Sequence, residues 1–463
     1  MDRSDGSAGK TAALIVTTMS NFLTPLALAT VNVALPSIGK EFSMNAVSLS
    51  WVAVAYILSA AIFLVPIGKL ADIYGRKRLF LIGTYVFTIT SFFMGIATTP
   101  FVLIFFRVAQ GVGGAMLFGT SIAILSSVFP AGERGKAFGI NIAAVYLGLS
   151  FGPFFGGVLT HHLGWRSVFF LNVPFGIIMV VLILWKLKGE WAEARNEKFD
   201  IIGSFIYSLM LLSIMYGFSL LPNGLSIVLI VAGVAGVVLF IYWEGRAKNP
   251  VLNIELFKSN RAFALSNIAA LINYSATFSV GFLLSFYLQY IKGLSPQSTG
   301  FVLVSQPIVQ AAFSPLAGRI SDKVEPRIVA SIGMALAALG LILLVFLTGT
   351  TPILFIVACQ VILGFGFAFF SSPNTNAIMG SVESRFYGIA SSVVSTMRLL
   401  GQMFSMGITM LIFTVFIGKV EILPAYYANL LRGIRVAFII SGALCVVGVF
   451  ASLSRGNVHS DDA

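Results

Sequence analysis

Charged residues are scarce in this chain of 463 residues. Asp, Glu, Lys and Arg together make up 10% of it, whereas an ordinary soluble domain has about 25%. Hydrophobic residues make up 58%, and the mean hydropathy is +0.96. A water-soluble fold of this length is therefore excluded, and the composition predicts a chain that lies mostly within a lipid bilayer.

Cysteine and histidine are also rare, with two and three copies. Cys359 and Cys445 both lie inside apolar runs, where a small buried side chain is expected rather than a disulfide. The sequence shows no His/Cys/Asp metal cluster, no nucleotide-binding P-loop and no Ser/His/Asp arrangement. It therefore gives no reason to expect an enzyme, a bound metal or an organic cofactor.

Long apolar runs separate short charged or Gly/Pro-rich breaks along the whole chain. A bilayer core about 30 Å thick needs about 20 apolar residues per helix. The runs predict an all-α polytopic membrane protein with fourteen spans, numbered here in chain order. They cover residues 12–36, 48–69, 79–98, 102–126, 137–160, 167–187, 200–220, 225–243, 263–290, 297–319, 328–348, 352–374, 386–416 and 434–454.

The basic residues are distributed unevenly about these spans. An even number of spans places both termini on one side, and 21 of the 29 Lys and Arg residues fall on that side, called the basic side below. Six fall on the opposite side, and Arg107 and Arg398 lie inside spans. The positive-inside rule predicts that the basic side, with both termini, is cytoplasmic. The net charge of +12 therefore orients the chain and does not indicate nucleic-acid binding.

The chain contains an internal repeat. Gly68-Lys-Leu-Ala-Asp72 recurs 250 residues later as Gly318-Arg-Ile-Ser-Asp322. Polar stretches at 186–200 and 244–261 bracket spans 7 and 8, which therefore look like an insert. We predict a six-helix half (1–188), a two-helix insert with its linkers (189–262) and a second six-helix half (263–463), an arrangement of 6+2+6. Such duplication is typical of secondary transporters whose halves rock around a central site.

The first copy of the repeat, residues 68–78, is called the first signature. It reads Gly68-Lys-Leu-Ala-Asp72-Ile-Tyr-Gly75-Arg76-Lys77-Arg78. This run resembles the cytoplasmic loop signature of the major facilitator superfamily at nearly every position. Its glycines allow a tight turn and close helix approach, and Asp72 can cap or face a helix N-terminus. The resemblance implies a major facilitator fold in which this loop latches the two halves together on the cytoplasmic side.

The second signature, residues 318–327, is degenerate. Gly318 and Asp322 are retained, but Glu325 stands where the first copy has Gly75. We therefore expect the latch to depend mainly on the first signature.

Span 4 reads Arg107-Val-Ala-Gln110-Gly111-Val-Gly-Gly114-Ala115, which is similar to the superfamily's span-4 signature. A cation inside a span costs about 2.5 kcal/mol or more on insertion scales. The resemblance implies that Arg107 takes part in proton coupling or holds polar partners. The alternative is an arginine that snorkels to the nearby interface.

Span 5 carries Gly148-Leu-Ser-Phe-Gly152-Pro153-Phe-Phe-Gly156-Gly157, which looks like the signature of the superfamily's exporters. Small residues at this spacing allow close helix contact, and the proline bends the helix. Further stretches around Asn32, Trp51 and Trp165 resemble the fourteen-span drug:proton antiporters. The resemblance covers nearly the whole chain, and it implies export.

No acidic residue lies in the middle of a predicted span. The antiporters usually carry an aspartate five residues before the Asn of their span-1 motif, and Ala27 stands there. An intramembrane carboxylate attracts a lipophilic cation and carries the coupled proton. Its absence argues against a specialist for quaternary ammonium compounds. The candidates for coupling are then Asp72 and Asp322, modulated by Arg107, or else a mechanism that is not driven by protons.

The predicted substrate cavity is cationic, because Arg107 and Arg398 are the charges inside the spans. This favours an anionic or neutral substrate, unless Arg398 only bonds the carbonyls of neighbouring helices. Each polar side chain taken alone is more often an interhelical hydrogen bond than a ligand contact. The candidate cavity residues are Asn21, Asn32, Tyr56, Asn141, Tyr146, Gln289, Gln306, Asn374 and Arg398.

Two functions remain open from the sequence. The first is a proton-coupled secondary exporter of amphiphilic drugs or metabolites that works by alternating access. The second is a dedicated transporter of one anionic or neutral metabolite with another form of coupling. For either, we expect a monomer in the plasma or inner membrane of a prokaryotic cell, with the lipid bilayer, a small-molecule substrate and protons as its partners.

Overall fold

The chain folds almost entirely into helices. A computed structural model describes residues 3–192, 194–195, 197–252, 255–383 and 387–455. Within these ranges, fourteen helices are long and apolar enough to cross a membrane. They are Gly9–Phe42, Ala46–Tyr74, Arg76–Gly95, Pro100–Val128, Glu133–Leu163, Ser167–Lys186, Ile201–Leu220, Gly224–Glu244, Arg261–Ile291, Pro296–Ser321, Pro326–Leu344, Ile353–Gly380, Ile389–Phe416 and Pro424–Leu453. The predicted fold of fourteen spans is confirmed, and each predicted span overlaps one helix.

Polar residues in the loops set where many of the helices begin. Asn45, Thr99, Asp200, Asn260 and Ser295 each accept a hydrogen bond from a backbone amide in the first turn of the helix that follows. Thr99 and Ser295 are each followed directly by proline, at a position where the missing amide proton costs nothing. The helices therefore extend past the apolar runs into the interfaces.

The repeat in the sequence corresponds to a repeat in the packing. A Cβ on Gly83 in span 3 would lie 3.1 Å from the carbonyl oxygen of Gly113 in span 4. A Cβ on Gly333 in span 11 would lie 2.8 Å from the carbonyl oxygen of Gly366 in span 12. Gly83 and Gly333 are 250 residues apart, the same interval as the two signatures. Glycine thus brings the corresponding helix pair of each half into close contact.

Spans 7 and 8 pack against both halves along one seam. The hydroxyl of Tyr207 in span 7 donates to the carbonyl of Ala61 in span 2, at 3.1 Å. On the other flank, a Cβ on Gly407 in span 13 would lie 2.9 Å from the sulfur of Met215 in span 7. Span 8 lies outside span 7, and only 17% of its most apolar stretch is buried within the protein. The insert therefore bridges the halves and turns its outer helix towards lipid.

The two halves meet on the side opposite the basic loops. The amide of Ala46 donates to the carbonyl of Val420 at 3.0 Å, and Asn45 and Glu421 form an isolated antiparallel bridge. Deeper in the bundle, a Cβ on Gly157 of span 5 would lie 3.1 Å from the Cα of Gly300 in span 10. The opposite side is therefore closed by contacts of backbone against backbone.

Spans 9 and 10 are both interrupted where they face the first half. Span 9 consists of Arg261–Thr277, Val280–Phe286 and a π-helical turn, Tyr287–Ile291. Span 10 breaks at Val304, between Pro296–Leu303 and Ser305–Ser321. Pro307 explains this second break, because it has no amide proton for the carbonyl of Leu303. The sequence analysis predicted continuous helices at both places.

Candidate functional site

A cavity of about 140 Å³ lies between the halves. Spans 1, 2, 4 and 5 of the first half and spans 9, 10, 12 and 13 of the second half supply its walls, which are mostly apolar or aromatic. Its polar lining residues are Thr24, Asn32, Tyr56, Tyr146, Asn273, Tyr274, Thr277, Gln306, Gln310, Gln360, Ser371, Arg398 and Gln402. Because both halves contribute, a movement of one half against the other would reshape the cavity.

The predicted cavity residues divide into two groups. Asn32, Tyr56, Tyr146, Gln306 and Arg398 line the cavity. The other four bond between helices elsewhere: Asn21 donates to Oδ1 of Asn141 at 2.6 Å, Gln289 to the carbonyl of Val33 at 3.0 Å, and Asn374 to the carbonyl of Ser266 at 3.1 Å. The sequence analysis did not select Gln360 or Gln402, although a glutamine inside an apolar run is a signal that could have found them.

Arg398 is the only charged residue among the described residues that line the cavity. Its guanidinium lies 5.5 Å from the centre of the Phe118 ring, a cation–π contact between span 13 and span 4. No ion pair in the described part of the chain involves Arg398. The cavity therefore presents a positive charge that no carboxylate neutralises.

Four other polar atoms of the lining residues lack hydrogen-bond partners within the described ranges. They are Asn32 Oδ1, Tyr56 Oη, Asn273 Nδ2 and Gln360 Oε1, and each is buried. An unsatisfied buried polar group costs about 1–3 kcal/mol. Together with Arg398, these donors and acceptors form a site that a polar or anionic group of a ligand could satisfy.

Polar contacts to span 1 near Pro36 join the halves beside the cavity. Pro36 has no amide proton, so the carbonyl of Asn32 loses its helical partner. That carbonyl accepts instead from the hydroxyl of Ser285 in span 9, at 2.9 Å. Gln289, one turn further on, donates both to the carbonyl of Val33 and to Ser285, each at 3.0 Å. Gln289 thus belongs to the contact between the halves.

The exporter-type motif of span 5 presents two faces. Gly148, Gly152 and Gly156 face span 1, where a Cβ would overlap Phe22, Ala29 and Thr30 respectively. The second face meets span 10: a Cβ on Gly300 would overlap the carbonyl of Pro153 and lie 3.2 Å from the Cα of Gly157. The first face holds the first half together, and the second lies in the contact between halves.

A larger cavity of about 670 Å³, called the vestibule, lies on the basic side between spans 2, 4 and 13. Gly68, Lys69, Asp72 and Arg76 of the first signature line it, together with residues of span 13 and of the segment after span 8. Phe118 lines both the vestibule and the central cavity. The contact between Phe118 and Arg398 therefore lies where the two cavities approach each other.

The first signature is mostly helical, which corrects its interpretation as a loop. Span 2 continues to Tyr74, and only Gly75, with φ of 118°, lies between it and span 3. Both Nε and a terminal nitrogen of Arg76 lie 2.8 Å from Oδ1 of Asp72. Arg76 also donates to the hydroxyl of Ser127 at the end of span 4. These bonds join spans 2, 3 and 4 within the first half.

The linker after span 6 is bonded to the first signature. The carboxylate of Glu190 accepts from the amides of Lys77 and Arg78, at 2.9 and 3.1 Å, and so caps the start of span 3. The amide of Arg76 donates to the carbonyl of Trp191 at 2.8 Å. A side chain on Gly75 would collide with Glu190. The sequence analysis missed Glu190, which it treated only as part of a polar linker.

The second signature makes a similar contact within its own half. Asn376 in span 12 donates to Ser321 at 2.9 Å and to Asp322 at 3.4 Å. A Cβ on Gly318 would lie 2.9 Å from the hydroxyl of Ser372 in the same span. Each signature therefore contacts the fourth span of its half. Arg76 of the first signature donates to span 4, whereas Asn376 of span 12 donates to the second signature.

Arg107 is fully buried behind the cavity wall. Its Nε donates to the carbonyl of Val52 at 2.8 Å, and a terminal nitrogen donates to Gln110 at 2.7 Å. Its guanidinium lies 4.7 Å from the centre of the ring of Tyr56, which lines the cavity. Arg107 thus holds spans 2 and 4 together, and its role in proton coupling stays a prediction.

Residues 17–246 and 267–461 match the family profile described as Major Facilitator Superfamily. The chain belongs to this superfamily. It is a multi-pass membrane transporter with bacterial relatives, which is consistent with a prokaryotic inner membrane. The duplicated signatures and the cavity between the halves are thus parts of a Major Facilitator Superfamily transporter.

Several curated relatives are about equally similar. The chain is 32% identical to the riboflavin transporter RibZ of Clostridioides difficile, over 84% of this chain and 85% of that one. It is 32% identical to the multidrug resistance protein Stp of Mycobacterium tuberculosis (84% and 73%) and 31% identical to multidrug resistance protein 3 of Bacillus subtilis (87% and 77%). A bacterial homologue of the human lysosomal transporter Spinster, solved inward-facing and unoccupied, shares the fold with a TM-score of 0.68, 16% identity and 98% of both chains covered.

Proposed function

We propose that this transporter is a proton-coupled exporter of amphiphilic small molecules, of the fourteen-span drug:proton antiporter type, and that it works by alternating access. The observation that carries the proposal is the central cavity, which both halves enclose and which contacts between the halves close on the opposite side. The exporter-type motif of span 5 supports the direction of transport. Two relatives that are named multidrug resistance proteins support the substrate class.

In this proposal a substrate enters from the vestibule on the basic side, which we take to be cytoplasmic. It passes the contact between Phe118 and Arg398 and binds among the apolar walls and unpaired polar atoms of the central cavity. The halves then separate on the opposite side, where Gly157 packs on Gly300. The breaks in spans 9 and 10 provide hinges, because interrupted helices can bend without the loss of further helical hydrogen bonds.

A second candidate function is kept because of Arg398. A positive charge with no carboxylate partner favours an anionic substrate, or a neutral one with strong hydrogen-bond acceptors. One relative is named a riboflavin transporter, which makes a single aromatic metabolite a reasonable alternative to a range of drugs. The two proposals share the cavity and differ in its selectivity.

Transport into everted membrane vesicles separates these proposals. A panel of cationic, neutral and anionic amphiphiles is offered before and after the proton gradient is collapsed. We expect uptake of several compounds that falls to background when the gradient is lost. Uptake of one compound only would contradict the multidrug proposal. Uptake that is unchanged after the proton gradient is collapsed would contradict proton coupling.

The same vesicles test the role of Arg398. Arg398→Ala removes the charge of the cavity and should reduce transport of anionic compounds at least tenfold, while neutral compounds are affected less. Arg398→Lys keeps the charge and should retain part of the anion transport. Arg432→Ala, an exposed arginine on the opposite side, is the matched control. Normal anion transport by Arg398→Ala at normal expression would place recognition elsewhere.

A further inference from the structure

Two carboxyl groups lie close together at the basic-side end of the insert, apart from the cavity. Asp200 caps the start of span 7, and its Oδ1 accepts from the amide of Gly203 at 2.8 Å. Glu244, the last residue of span 8, is only 3% exposed. A Cβ on Gly203 would touch both Asp200 Oδ2 and Glu244 Oε1. The two oxygens are therefore within about 5 Å of each other, a range in which each negative charge disfavours the other.

The two oxygens of Glu244 differ in their surroundings. Oε2 accepts from the amide of Leu252 at 3.0 Å, whereas the buried Oε1 has no hydrogen-bond partner in the described part of the chain. A buried carboxylate without a partner is unfavourable. A proton on Oε1 would neutralise Glu244 and so remove both the cost of the buried charge and the repulsion from Asp200.

The charged groups near Glu244 leave this repulsion in place. Lys69 of the first signature approaches it, but Lys69 already pairs with Glu197. Trp243, next to Glu244, donates its indole nitrogen to both oxygens of Asp200, at 3.2 and 3.0 Å, and holds that carboxyl group in position. In the segment that follows, Arg246 stacks on the ring of Tyr242 and Lys248 lines the vestibule.

The pair lies where three parts of the molecule meet. Lys69 and its partner Glu197 belong to the wall of the vestibule, on the side of the first half. Leu252, whose amide Glu244 holds, packs against a cluster of the second half that includes Val393 of span 13. Asp200 and Glu244 belong to the insert. A change of charge at the pair would therefore act on both halves, and Leu252, which lines the vestibule, places the pair beside that cavity.

We propose that Asp200 and Glu244 form a proton-binding site through which pH on the basic side controls the opening of the transporter. With one proton between them, the pair carries a single negative charge, and Glu244 keeps Leu252 in place. When the proton leaves to water in the vestibule, two adjacent carboxylates repel each other. The end of span 8 then moves away from the start of span 7 and carries the segment around Leu252 with it, which favours the arrangement that is open on the opposite side. This role is separate from the transport of substrate. It rests on the proposed function only in that the two sides of the transporter must open alternately.

The test uses a single reporter cysteine in the full chain, with Cys359 and Cys445 replaced by alanine. Ala46→Cys places the thiol in the closed contact between the halves, where Ala46 is fully buried. Its rate of maleimide labelling in proteoliposomes is measured at several pH values, and each rate is divided by that of the unfolded protein at the same pH. This reporter chain, with Asp200 and Glu244 unchanged, is called the parent. We expect its labelling rate to rise several-fold as the pH rises through the neutral range.

Two neutral variants should remove this pH dependence, because the repulsion requires both charges. Glu244→Gln should label slowly at every pH. Asp200→Asn should do the same, and asparagine keeps the helix cap, which guards against a variant that merely fails to fold. The exposed acid Glu255 provides the matched control, and Glu255→Gln should behave like the parent.

Three results would overturn the proposal: a parent without pH dependence, neutral variants that keep it, or neutral variants that label fast at every pH. The last would show that the pair is needed only for structure. Because the reporter measures opening and uses no substrate, each of these failures leaves the proposed transport function standing.

Discussion

At the scale of single residues, the structure separates side chains that hold helices together from those that face a substrate. Arg107 has its hydrogen bonds within the first half, whereas Arg398 lines the cavity and contacts the ring of Phe118. The sequence predicted two intramembrane cations but not this difference, because it depends on which neighbours the helices bring together. For the same reason Asn32 and Asn141 looked alike in the sequence, although only Asn32 lines the cavity.

Asp72 provides the test at this scale. Its pair with Arg76 holds spans 2, 3 and 4 in register at the vestibule. Asp72→Asn keeps the size of the side chain but weakens a charge-assisted bond. We expect turnover to fall at least tenfold while substrate affinity, measured by equilibrium binding, changes less than twofold. An unchanged turnover would contradict a gating role for the first signature.

At the scale of helices, the sequence predicted which spans exist and in what order. It did not predict where helices are interrupted or continue past the apolar runs. Every predicted span overlaps a helix because a 20-residue apolar run has few alternatives in a bilayer. The first signature was predicted as a loop, since its charges end the apolar run, yet the helix continues to Tyr74. The break at Phe278 and Ser279 follows no proline, and the hydroxyl of Ser405 in span 13 accepts the amide of Ser279. That compensation comes from tertiary structure and has no local signal.

The glycines of span 5 give the prediction for this scale. Gly156 lies against the backbone of Thr30, whereas a Cβ on Gly139 in the same helix would meet nothing within 4 Å. Gly156→Ala should lower the stability in thermal unfolding by about 1–3 kcal/mol, because backbone atoms cannot move aside. Gly139→Ala should be neutral or stabilise by up to about 1 kcal/mol, since alanine is the better helix former. Equal effects of the two substitutions would contradict the close packing of spans 1 and 5.

At the scale of the whole molecule, the internal repeat was the strongest signal in the sequence. The interval of 250 residues that relates the signatures also relates Gly83 to Gly333, so the repeat extends to helix packing. The contacts that close the opposite side could not be predicted in this way. They join Asn45 and Ala46 to the loop before span 14, residues with no motif and no periodic pattern. Which side is closed is a property of one state of the molecule, and a single sequence encodes both states.

A disulfide across the closed side tests alternating access most directly. Asn45 and Glu421 form an isolated antiparallel bridge, and in antiparallel pairing opposite Cα atoms are about 4.5–5.5 Å apart, within the range that a disulfide bridges. Asn45→Cys with Glu421→Cys, in a chain with Cys359 and Cys445 replaced by alanine, links the two halves. Glu41→Cys with Arg166→Cys replaces an ion pair on the same side but within the first half, and it serves as the control.

Transport is measured in vesicles after oxidation and again after reduction. Alternating access predicts that oxidation abolishes transport through the linked halves, that reduction restores it, and that the control pair transports in both conditions. Transport at the full rate by the oxidised Asn45–Glu421 variant would show that the halves need not separate on this side, and would contradict the account.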